Sequence, residues 1–134
     1  MNRSSLSLSR HVPLYVFLGA VFWLVAALLI RFAGPELFHL GNPWLYALFA
    51  ACLPAGWLFI ILCLAIGGLP RSDALIPVSI MCVTGLTLDG VAISSFTKLY
   101  GTSPEHVMLG AAWLLWGVGV LLLLALFVQL VRKP

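Results

Sequence analysis

Four long apolar runs, separated by short polar joins, organise this chain from end to end. They cover residues 12–32, 44–67, 74–96 and 107–131. A hydrocarbon core of ~30 Å is crossed by about 20 helical residues rising ~1.5 Å each, so every run is long enough to span one. In lipid each backbone N–H and C=O needs an internal partner, which leaves helices or closed barrels. Barrel strands alternate apolar and polar positions. The stretch Leu121-Leu122-Leu123-Leu124-Ala125-Leu126-Phe127 does not, so the pattern predicts four helices.

The joins carry helix-ending punctuation: Gly34, Pro35, Gly41 and Pro43 in the first, Gly67, Gly68 and Pro70 in the second, Gly101 and Pro104 in the third. Glycine tolerates left-handed backbone and proline lacks an N–H, so both interrupt helices. Ser72-Asp73 and Ser103-Pro104-Glu105 are candidate N-terminal caps. Short joins force antiparallel neighbours. The expected fold is an all-α integral membrane protein: a single transmembrane domain over 1–134, with four helices in an up-down-up-down bundle. The first run exceeds the ~7–15 apolar residues of a signal peptide and reads as a retained helix.

Charge sharpens this picture. Of eleven charged side chains, ten sit at the edges of the runs or between them. Cations favour the N-terminus (Arg3, Arg10), the second join (Arg71) and the C-terminus (Arg132, Lys133) over Arg31 and Lys98. The positive-inside rule then places both termini in the cytoplasm. The net charge of +3 reflects these anchors against an anionic leaflet and points to no nucleic acid. The three cysteines, Cys52, Cys63 and Cys82, lie inside spans without a C-x-x-C pattern and read as small apolar residues. His11, His39 and His106 fall at span ends without metal-ligand spacing, so neither a metal nor another cofactor is expected.

Asp89 is the one charge that membrane insertion does not explain. A charged aspartate at mid-membrane costs on the order of 2.5–3.5 kcal/mol, so it is paired, hydrated or neutral. One reading pairs it with Arg31, at the end of the first span, across ~9 Å of depth that an arginine can partly cover. A second makes it a proton or cation acceptor in a small transporter of lipophilic cations, beside indole faces. The third is a neutral aspartate bonded to Thr87, Ser94 or a backbone carbonyl. Trp23, Trp113 and Trp116 lie near its depth and, with Thr87, are candidate pocket-lining residues; an indole N–H in hydrocarbon seeks an acceptor. Tyr15, Trp44, Tyr46 and Tyr100 fall at interface depth, where amphipathic rings belong.

Small residues suggest where helices meet. Val78, Cys82, Gly85, Asp89, Ala92 and Phe96 form one stripe, Ala47, Ala51 and Ala55 a ridge, and Ala20 and Ala27 a patch on the side of Arg31. Trp23 followed by Arg31-Phe32-Ala33-Gly34, then Leu88-Asp89, Phe96 and Tyr100, and Trp113-Leu114-Leu115-Trp116, give the chain a familiar profile. It resembles a family of small four-helix bacterial membrane proteins known as a domain of unknown function, over about residues 14–127. That resemblance implies a bacterial inner membrane and supplies no activity. Arg31 with Gly34 and Pro35-Glu36 is also faintly echoed by Lys98 with Gly101 and Pro104-Glu105; a true repeat would mean two duplicated hairpins in parallel orientation, but four matches at unequal spacing arise easily by chance. Catalysis needs paired acid–base or nucleophile–base groups, and the spans offer one carboxylate. The reading is a non-enzymatic bundle that works through contacts in the bilayer, as a homo-oligomer or with another membrane protein. The transporter is the alternative.

Overall fold

The computed structural model describes residues 3–131, with side chains from Ser9 onward. The described residues form four α-helices: α1 (Arg3–Leu37), α2 (Pro43–Gly67), α3 (Leu75–Ser95) and α4 (Pro104–Val131). Two short 3-10 turns, Arg71–Asp73 and Thr97–Leu99, lie in the second and third joins. All four helices are long and apolar enough to cross a membrane. Among the orientation anchors, Arg132, Lys133 and the side chain of Arg3 lie outside the described residues.

The predicted helix ends need two corrections. α1 does not stop at 32 but runs through Gly34 and Pro35 to Leu37. Pro35 deprives the Arg31 carbonyl of its usual donor, yet Phe38 N donates to Gly34 O (2.8 Å) and closes the turn. Asn42 then joins two helices with one side chain. Its amide donates to the carbonyls of Glu36 (3.0 Å) and Leu37 (3.2 Å), while its oxygen accepts from Trp44 N (3.1 Å). The end of α1 and the start of α2 are thereby satisfied together, with Pro43 at the first position of α2, where its missing donor costs nothing.

The second correction concerns α3. Neither Ser72 nor Asp73 caps it; Ala74 precedes the helix and offers no side-chain acceptor. Gln129, near the far end of α4, supplies Oε1 to Leu75 N instead (3.0 Å). The cap comes from tertiary structure, which no local pattern announces. Glu105 is likewise diverted, accepting from Leu40 N at 2.7 Å across two joins. α2 ends as its glycines predict: Gly68 adopts φ 62°, and Leu69 N donates back to Leu64 O (3.0 Å).

α1 packs chiefly on α3 and α2 on α4, and α3 against α4 joins the two pairs. One apolar core, near the second join, unites Ile60, Leu64, Val78, Leu121, Ala125 and Val128. Another gathers Ala27, Ile30, Phe38, Leu45, Tyr100 and Leu109 where the first and third joins meet. Within α3 the buried residues Val78, Cys82, Asp89 and Ala92 follow the small-residue stripe, whereas Phe96 faces out. Ala47, Ala51 and Ala55 are all exposed, Ala47 and Ala51 on the outer side of α2 and Ala55 at the rim of a cavity between the helices.

The Asp89 cluster as candidate functional site

Asp89 lies on the buried stripe of α3, two turns before the helix ends at Ser95. The chain then makes a 3-10 turn and returns Tyr100, fully buried, against α3. The Tyr100 hydroxyl donates to Asp89 Oδ1. The Tyr100 hydroxyl oxygen in turn accepts from Trp23 Nε1 on α1 at 3.1 Å. A phenol can give one bond and receive another, so it relays between the carboxylate and the indole. Three residues from α1, α3 and the third join thus close one buried polar chain. Burial, and secondarily the bond to Asp89, hold the Tyr100 phenol above its ordinary pKa, so it remains a donor.

Arg31 takes no part in this cluster. Its Nη1 donates to the Lys98 carbonyl at 3.3 Å, and no Arg31–Asp89 ion pair forms among the described residues. The expected pair fails because a closer, neutral donor reaches the carboxylate first. A tyrosine folded back from the join spares the cost of desolvating a guanidinium. Thr87 and Ser94 do not reach Asp89 either. Both hydroxyls bond backbone carbonyls of their own helix, Thr87 to Val83 and Ser94 to Gly90, each at 2.8 Å. This is how hydroxyls within a helix commonly satisfy themselves.

Asp89 borders a central cavity of about 210 Å³ lined by all four helices. Trp23 and Trp113 line it as expected of deep indoles, together with Phe59, Cys52 and Cys82. Trp116 and Thr87 do not. Trp116 Nε1 is spent on the Phe49 carbonyl (2.9 Å), and its ring is about half exposed; Thr87 is exposed as well. Sites for drug-sized ligands run to ~300–1,000 Å³, so this cavity is undersized for one. Apart from Asp89 and two cysteines its wall is apolar. Among the described residues no three His, Cys, Asp or Glu side chains come together to hold a metal ion.

The chain matches no protein-family model, no curated protein and no solved structure. The site therefore stands on its own geometry.

Sequence reasoning missed His106, which it placed at a span end without a role. It is buried: its Nε2 lies 2.7 Å from the Ile30 carbonyl, which only a protonated Nε2 can satisfy, and its ring stacks on Phe38 at 5.9 Å. Gly34 and Gly101 make the room; a Cβ on Gly34 would stand 1.6 Å from Nε2, and one on Gly101 2.5 Å from Nδ1. These are the glycines of the echoed segments, so the echo marks where the first and third joins meet. That shared -Gly- spacing was the available signal for a side chain inserted between them.

Proposed function

We propose that the protein is a multi-pass bundle of the bacterial inner membrane, up-down-up-down with both termini cytoplasmic, acting without catalysis through helix contacts. Cross-links in the fold support the topology. Trp113 Nε1 reaches the Leu48 carbonyl near the starts of α4 and α2, and Tyr15 bonds the Cys63 carbonyl near the start of α1 and the end of α2. The resemblance to small bacterial membrane proteins supplies the expected location.

The outward face of α2 carries the functional reading. Ala47 and Ala51 leave an exposed, uncharged small-residue ridge, and Pro54 beside it withholds the usual donor from the Ala50 carbonyl. A small-residue ridge admits a second backbone closely, and a freed carbonyl in lipid needs a donor from elsewhere. The polar interior, by contrast, is committed to itself: Asp89 holds Tyr100, and Tyr100 holds Trp23. A second copy of the chain or another membrane protein on α2 satisfies both features.

Photo-crosslinkers at positions 47 and 51, compared in intact membranes with the exposed positions 83 and 123, test the reading. Discrete adducts at 47 and 51 alone are expected; labelling no stronger than at the controls contradicts it. The transporter reading keeps one supporting observation, that Asp89 borders the central cavity. In a proton-release or dye-efflux assay, an Asp89→Asn variant indistinguishable from the parent protein removes it.

A further inference from the structure

Trp23 is a wall shared by two cavities, and the second is the larger. A groove of about 760 Å³ opens along α1 and α3 beside the third join, within the ~300–1,000 Å³ of ligand sites. Leu88, Val91, Ala92 and Phe96 give it an apolar floor. Arg31 and Lys98 stand at one end of it, brought together because the Arg31 guanidinium donates to the Lys98 carbonyl. Both side chains are exposed, and among the described residues neither has a carboxylate partner. Two unopposed cations above an apolar trough, on helices of membrane-crossing length, have a definite complement: an anion that carries a hydrocarbon tail.

We infer that this groove seats an anionic phospholipid, its phosphate held between Arg31 and Lys98 and an acyl chain laid along Leu88, Val91 and Phe96. The guanidinium suits a phosphate because its planar donors match paired oxygens, and one of them is already fixed on the Lys98 carbonyl. A zwitterionic lipid brings a cation of its own beside Arg31 and Lys98 and cancels the charge of its phosphate. Free phosphate leaves the floor unfilled. Trp23 gives its N–H to Tyr100 and so presents only its ring to the groove's apolar side. The surface is separate from the α2 ridge and does not depend on it.

Native mass spectrometry of the full chain in detergent, with equal amounts of phosphatidylglycerol and phosphatidylcholine, tests the assignment. The parent protein is expected to retain phosphatidylglycerol preferentially. Each of Arg31→Gln and Lys98→Gln should weaken that preference about fivefold and the double variant roughly 30-fold, from the contribution of one basic residue at a charged surface. The charge-preserving pair Arg31→Lys and Lys98→Arg should keep most of it, and excess inorganic phosphate should not displace the lipid. Circular dichroism confirms helix content; if the double variant does not fold, Lys98→Gln alone, on an exposed side chain, gives the reading. Equal retention of the two lipids by the parent protein, a preference that survives the Gln variants, or displacement by phosphate overturns the inference.

Discussion

The two ends of this bundle are held together by different means. Where the first and third joins meet, the described residues bury Asn42, Asp89 and His106, each bonded across an element boundary. Near the second join the core is apolar, and its polar links are the Tyr15 hydroxyl on the Cys63 carbonyl and Gln129 on Leu75 N. In lipid, apolar contact between helices gains little over contact with acyl chains, so close packing and interhelical bonds decide the arrangement. The difference teaches that one end has its partners chosen by donors and acceptors, the other by shape.

The sharpest way to break that contrast is to add one methyl at each end. Gly34→Ala drives a Cβ into the His106 ring, which stacking on Phe38 and the Ile30 carbonyl hold in place; a loss of about 2–3 kcal/mol is expected. Gly67→Ala meets only the tip of Tyr15, its hydroxyl at 1.9 Å and Cζ at 2.9 Å, so a tilt of that ring that gives up its bond to the Cys63 carbonyl relieves the clash and about 1 kcal/mol is expected. Reversible unfolding in micelles compares them. Equal losses would mean the two ends are built alike.

Smaller effects sharpen the comparison. Tyr100→Phe leaves Asp89 and Trp23 without their relay and should cost about 1–2 kcal/mol. Tyr15→Phe and Gln129→Ala, each removing one bond to backbone at the other end, should cost about 0.6 kcal/mol. Arg31→Ala, on an exposed side chain, should stay within about 0.5 kcal/mol. Alkaline titration adds a sign. Because the folded-state pKa of Tyr100 is raised, its contribution is complete below the ordinary tyrosine value of about 10 and is lost progressively as pH climbs from there through the higher folded value. Stability measured in the parent protein and in Tyr100→Phe should differ by a constant amount up to pH ~10, then converge.

Hydropathy made the four helices legible because a span needs nothing but length and apolarity. The depth of Trp23 and Trp113 was legible for the same reason, and both reach the cavity beside Asp89. What failed to show was direction. Tyr100 looked like an interface ring, since sequence position gives its depth but not the backward fold of the join that buries it. Arg31 looked like the partner of Asp89 on charge alone, while the actual donor was neutral and eleven residues away in the same hairpin. Thr87 had its own helix to bond. Trp116 found the Phe49 carbonyl on α2, a contact fixed by helix rotation, which a single sequence does not encode. The Ala47–Ala51–Ala55 spacing was visible, but not that Ala47 and Ala51 face outward while Ala55 reaches the cavity.

The most direct test of the account is a pair of double-mutant cycles read by unfolding in one membrane mimetic. Tyr100→Phe with Asp89→Asn should show a coupling of about 1 kcal/mol, as expected of residues in contact, whereas Arg31→Ala with Asp89→Asn should be additive within about 0.5 kcal/mol. Additive losses in the first cycle and strong coupling in the second would contradict it, returning Asp89 to Arg31 and dissolving the Tyr100 clasp.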